Sequence, residues 1–176
     1  MKKTIAILVL IILGCSHAYA RDGFEKVTCS SDIAKALKGQ RASDETVMAI
    51  EARHKDLKLK DLGASDYGRF SSITWSICGR DFMVLEENRS NIVRDALELP
   101  AHSAATPAFE GTCMLNGKDV KANFVGTLRE EAGKDELQAV TAWKVDEKAI
   151  KFVKMSTGGL LCSRDGIPTS SPKANP

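Results

Sequence analysis

FSSITWSICGRDFMVLEE, Phe70 to Glu87, is the stretch whose reading decides the fold. Ile73, Trp75 and Ile77 alternate with Thr74, Ser76 and Cys78, the period of two that arises when successive side chains point to opposite faces of a strand. β-Branched and aromatic residues suit such a pleated surface. With Gly79-Arg80 as a two-residue loop, and Gly free to take positive φ at its first position, the stretch predicts a hairpin closed by a type II′ turn. Counting back from that loop pairs Ile77 with Phe82 and Trp75 with Val84 on one face, and Ser76 with Met83 and Thr74 with Leu85 on the other. Since the second face is also partly apolar, the hairpin is expected to be central or covered on both sides.

On the N-terminal side the period changes to that of helices. Ser30 or Ser31 can cap a helix through Asp32, Ile33 and Leu37 that stops at Gly39. A second helix is expected from Ser43, with Asp44 and Glu45 in its first turn, Val47, Ala49 and Ile50 on one side, and Arg53-His54-Lys55 at its end. Carboxylates near the start and cations near the end both complement the helix dipole. Leu57, Leu59 and Leu62 suggest one more helical turn closing at Gly63, followed by a turn from Gly63 to Gly68.

Beyond the hairpin, Ser90 can cap a helix over Ile92, Val93, Ala96 and Leu97 that ends at Pro100, and Ala101 to Pro107 is a small-residue loop. The remainder alternates as an antiparallel meander. Phe109, Gly111, Cys113 and Leu115 share a face, Asn116-Gly117 supplies a type I′ turn, and Val120, Ala122 and Phe124 return on the same face. Leu137 to Val145, with Leu137, Ala139, Thr141, Trp143 and Val145 on one face, and Ala149 to Met155 are two further strands, and Gly158-Gly159 turns the chain into Leu160-Leu161-Cys162. The expected class is α+β: N-terminal helices packed on an antiparallel sheet made of the central hairpin and the C-terminal meander.

Residues 1–20 carry Lys2-Lys3, an apolar run from Thr4 to Leu13 and a closing Ala18-Tyr19-Ala20, the layout of a secretory signal peptide. Release as a soluble periplasmic or secreted protein is the expectation. Ile12-Leu13-Gly14-Cys15 loosely resembles a lipobox, so the alternative is a lipoprotein anchored to the membrane through Cys15. A single globular domain is expected over residues 21–162, and a disordered tail over 163–176, where prolines replace apolar residues.

Losing Lys2 and Lys3 lowers Lys plus Arg from 25 to 23, equal to the 23 Asp plus Glu, so the mature charge is zero. Neutrality without a long basic run argues against nucleic acid as a partner. Four cysteines remain, Cys29, Cys78, Cys113 and Cys162, and an even count in an exported chain points to two disulfides. Of the three possible pairings, Cys29 with Cys78 and Cys113 with Cys162 is expected, because it staples the helical half and the strand half separately. Thr28-Cys29 and Thr112-Cys113 recur at the same offset as CGRD from Cys78 and CSRD from Cys162. The intervening periods differ between the halves, which argues against superposable repeats.

The chain lacks the parts for most chemistries. No HxxxH or CxxC spacing offers a zinc or haem site, and no Walker A loop, GxGxxG or GxSxG is present, so no cofactor and no metal are expected. Glu86-Glu87 and Glu130-Glu131 read as solvated carboxylate pairs, and Asn88-Arg89-Ser90 matches a glycosylation sequon that matters only in a eukaryotic secretory route. What is left is surface: the basic segment with Arg53, His54, Lys55, Lys58 and Lys60, and the loop carrying His102 and Ser103. The leading functional expectation is an exported, non-catalytic binding protein, such as an inhibitor or immunity-type partner of another extracytoplasmic protein. Two alternatives stand beside it: a small-molecule or lipid carrier with a pocket between helices and sheet, and a hydrolase using His102.

Overall fold

The structure, a computed structural model, describes residues 23–42 and 45–167. The expected leader with Cys15, the expected helix start at Ser43-Asp44 and the stretch from 168 onward of the expected tail lie outside the described residues. Strands account for 50% of the described residues and helices for 13%, so the molecule is mostly β and the α+β expectation is corrected. In chain order the elements are α1 (Ile33–Leu37), α2 (Val47–Arg53), a 3-10 turn (Lys55–Leu57), β1 (Lys60–Asp66), β2 (Phe70–Ile77), β3 (Arg80–Glu87) and β4 (Ile92–Glu98). There follow β5 (Ala108–Leu115), β6 (Lys118–Leu128), β7 (Glu136–Asp146), β8 (Lys151–Lys154), β9 (Leu160–Ser163) and a second 3-10 turn (Arg164–Gly166).

Two sheets replace the single expected one. The first is a four-stranded antiparallel meander in the order β1-β2-β3-β4, with the β2–β3 hairpin at its centre. Its register is shifted by two from the expected one: Trp75 faces Phe82, Ile73 faces Val84 and Ile77 faces Arg80. A shift of two keeps every side chain on its face. The turn residues are therefore Cys78 and Gly79, both at positive φ (56° and 76°), which makes the turn type I′. Cys78 is held there by its bond to Cys29 and by its N–H, which donates to Leu57 O at 2.6 Å.

Both faces of this sheet are covered. Ile73, Trp75, Ile77, Phe82, Val84, Val93 and Ala96 pack under Phe24, Val27, Ile33, Leu37, Ile50 and Leu57 from the helical segment. On the opposite face, Phe70 and Leu85 meet Val145 and Ile150, while Met83 and Leu99 meet Val125. Helices thus cover only one side, and the second sheet covers the other.

Two segments read as helix or turn are strands. The segment after Ser90 is β4, because the free edge of β3 takes it up and Ser90 Oγ donates to Glu87 at 2.8 Å instead of capping a helix. A register irregularity at Leu85/Glu86 places Val93 and Ala96 three apart on one face, a spacing that imitates helical periodicity. Likewise β1 runs from Lys60 to Asp66 through the expected stop at Gly63, absorbing it in an irregularity between Asp61 and Gly63. The helices that do form are short. Asp32, not Ser30 or Ser31, caps α1 by accepting from Lys35 N, and Thr46 caps α2 by accepting from Ala49 N.

The second sheet has the order β6-β5-β9-β7-β8, and β6 also pairs with β7, so β6, β5, β9 and β7 close into a ring. Its interior is filled by Phe109, Phe124, Leu128, Leu137, Ala139, Ala142, Leu160 and the Cys113–Cys162 bridge. The hairpin at Asn116-Gly117 forms with both residues at positive φ and Leu115 facing Lys118. The alternation expected along β7 holds at Leu137 and Ala139, then shifts phase: Ala142 takes the ring interior, and Val145, expected on that face, is buried on the other side against Phe70 and Leu85 of the first sheet. An irregularity opposite Thr127/Leu128 supplies the extra residue, Val140, which is exposed.

Both disulfides have the expected partners. Cys29–Cys78 ties the segment before α1 to the β2–β3 turn, and Cys113–Cys162 joins facing positions of β5 and β9 with Cα atoms 4.0 Å apart. The two halves that they staple differ in architecture, in line with the argument against superposable repeats. Ordered chain also extends past the expected end at 162: Ser163 caps the second 3-10 turn, Arg164 pairs with Glu130, and Ile167 packs against the interior of the ring. No helix among the described residues is long and apolar enough to cross a membrane.

Candidate functional site

A cavity of about 250 Å³ lies between the helical segment and the first sheet. Its apolar walls come from Phe24, Leu37, Ile50, Ile73, Trp75, Val84 and Val93, and Glu45, Asp61 and Glu86 are the carboxylates among its lining residues. Sheet parity explains the floor. Ile73 and Trp75 of β2 and Val84 and Glu86 of β3 all point to the helix-covered face, alternate residues of paired strands. The roof is sparse because α1 has five residues and α2 seven, too few to blanket four strands. Trp75 is fixed by an edge-on contact with Phe24, ring centroids 5.2 Å apart. Phe24 also lies 5.7 Å from the ring of His54.

Asp61 sits opposite Trp75 in the β1–β2 register. Its Oδ1 accepts from Gly63 N at 2.8 Å, and its own backbone N–H donates to Glu51 Oε1 at 2.8 Å. Among the described residues no cation pairs with this half-buried carboxylate. Glu45, by contrast, forms an ion pair with Arg53.

The residues singled out in the sequence fall in three places. Arg53 ends α2 and is engaged with Glu45. His54 is buried against Phe24 and belongs to the core instead of a contact surface, which corrects its expected place. Lys55 and Lys58 line a shallow cleft of about 440 Å³ with Met48, Glu51, Ala52 and Leu59, and Lys60 is exposed at the start of β1. Met48 is 80% exposed.

His102 lies apart from both, at a third cleft that it lines with Asp81, Glu98 and Pro100, and Ser103 follows it in the chain without lining that cleft. His102 Nε2 is 3.1 Å from Asp81 Oδ2 and its Nδ1 is 3.1 Å from Pro100 O. Ser103 turns away from it, with Oγ 3.2 Å from Thr106 Oγ1 and its backbone paired with Thr106 in both directions. A hydrolase needs a nucleophile within hydrogen-bond reach of its base. Among the described residues, none of the contacts of His102 is to a hydroxyl.

The apolar lining of the cavity read in the sequence as ordinary core, which is what its periodicity conveys. The one signal pointing further was the incidence of Glu45, Asp61 and Glu86 among those apolar positions. Compared with known proteins, the chain matches no family, no curated protein and no solved structure, so the site rests on its own geometry.

Proposed function

We propose that this chain is an exported binding protein that holds a compact small molecule in the cavity between its helical segment and first sheet. The cavity itself carries the reading. Small-molecule sites are concave and mostly apolar, with a few polar groups that fix orientation. About 250 Å³ exceeds the roughly 150 Å³ that accepts a benzene ring, yet falls below the usual range for larger ligands. That size favours a one- or two-ring body over a membrane lipid. The two disulfides suit an oxidising compartment, which supports export.

Titrating ethylbenzene into protein with labelled methyl groups tests the reading. Shifts concentrated at Ile50, Ile73, Val84 and Val93, and lost in Ile73→Trp, are the expected result. No shift at millimolar ethylbenzene, or shifts away from these methyls, would overturn it.

A second reading, the inhibitor or immunity-type partner, has one observation in its favour. Met48 is exposed beside Lys55 and Lys58, an apolar side chain framed by cations on a surface cleft. Isolated exposed apolar residues are common on protein surfaces, so this reading ranks below the cavity. Met48→Asp should abolish capture of an acidic extracytoplasmic partner if it is right.

A further inference from the structure

Three features of the cavity bear on the charge of its occupant. Among the described residues that line it, every ionisable one is a carboxylate: Glu45, Asp61 and Glu86. Asp61 is half-buried and engages only backbone N–H through its side chain, so its charge is left without a counter-charge among the described residues. Trp75, opposite Asp61 in register, offers an aromatic surface to the same space. Removing a carboxylate from water is costly unless a cation compensates, and indole is the best of the aromatic rings at attracting one.

We propose that the cavity selects a small organic monocation, its ammonium seated between Asp61 and Trp75 and its compact apolar body against Ile50, Ile73 and Val84. This rests on the cavity reading and adds the sign of the ligand. Glu45 contributes less, since Arg53 already engages it. The irregularity between Asp61 and Gly63 is what the sequence supplies for the purpose. It keeps Asp61 opposite Trp75 while Gly63 N holds the carboxylate in place.

Three probes with one phenyl body and different charge make the test: ethylbenzene, 2-phenylethylamine and phenylacetate, titrated under identical salt by calorimetry and methyl shifts. The amine should bind about tenfold more tightly than the neutral probe, with phenylacetate weakest, and added salt should narrow the gap. Asp61→Asn keeps an acceptor for Gly63 N and removes the charge. It should bring the amine down to the level that ethylbenzene shows in the same variant. Equal binding of all three probes, or tighter binding of phenylacetate, would overturn the charge assignment while the cavity reading stands. Failure of all three to bind would overturn both. The wild-type series decides the matter alone should the Asn variant fold poorly.

Discussion

Ser72 is a hydroxyl in the wrong surroundings. It lies on β2, facing the second sheet, and its Oγ is buried without a hydrogen-bond partner among the described residues. A buried unsatisfied polar atom costs about 1–3 kcal/mol, so Ser72→Ala should raise stability by about 1 kcal/mol, read as a higher urea midpoint at unchanged slope. A lower midpoint would mean that the hydroxyl is satisfied after all. Tyr67 is the opposite case, a polar group with a specific task. Its hydroxyl donates to Glu110 Oε1 at 2.9 Å and so links the β1–β2 turn to β5. Burial first, and then the Glu110 charge and hydrogen bond, hold its pKa well above the usual tyrosine value. The unfolded chain releases this proton near pH 10 whereas the folded chain keeps it, so the native state binds more protons there. The contribution is therefore complete below about pH 10 and declines as pH rises beyond it. In a Tyr19→Phe background Tyr67 is the sole tyrosine, and its absorbance titration should have a midpoint above 10 that falls in Glu110→Gln.

At the scale of elements, closure of the ring depends on one residue without a side chain. Gly126 of β6 has φ +156°, and a Cβ there would lie 2.0 Å from the backbone oxygen of Thr141 on β7. Backbone cannot yield as a side-chain tip does, so Gly126→Ala should destabilise by at least about 3 kcal/mol, measured by chemical denaturation. A second device protects an edge. β8 pairs only with β7, and on its other side Phe152 N–H donates to Asp95 Oδ2 at 2.9 Å, from β4 of the first sheet. The other oxygen of Asp95 meets Lys38 of the helical segment at 3.1 Å. Asp95→Ala should cost about 1.5–3 kcal/mol and speed amide exchange at Phe152. These devices mark where sequence reading stopped. Alternation and turn chemistry made β2, β3, β5, β6 and β7 legible, since those signals lie within a dozen residues. β1 and β4 were missed because an irregularity disguises the period of two, Gly63 reading as a stop and Val93 with Ala96 as a helix face. Ring closure by β9 pairs residues far apart in sequence, which no local pattern records. The cavity was illegible for a related reason: Ile50, Trp75 and Val84 have the pattern of core, Phe24 lies in a segment with no periodicity to read, and only their packing shows what they leave unfilled.

For the whole molecule, the two disulfides have equal sequence spans and unequal duties. Each closes 49 positions, and chain entropy alone assigns both about 4 kcal/mol. Their positions separate them. Cys113–Cys162 lies inside the ring, joining strands that already share a ladder. Cys29–Cys78 instead fastens the segment that carries Gly23 and Phe24, which line the cavity, to the turn at the end of the sheet's central hairpin. That segment has short helices and few ladder bonds to hold it, so the bridge substitutes for the secondary structure that it lacks. Replacing both cysteines of either pair with Ala should lower the guanidinium midpoint in each case. Only loss of Cys29–Cys78 should also weaken ethylbenzene binding, because the Phe24 wall is then free to swing away while the sheet below it persists. The Cys113–Cys162 variant should bind as the parent does wherever it remains folded. Equal weakening in both variants would mean that the cavity is supported by the molecule as a unit, and unchanged binding in both would mean that the packing of Phe24, on Trp75 and His54 among others, holds it without the bridge.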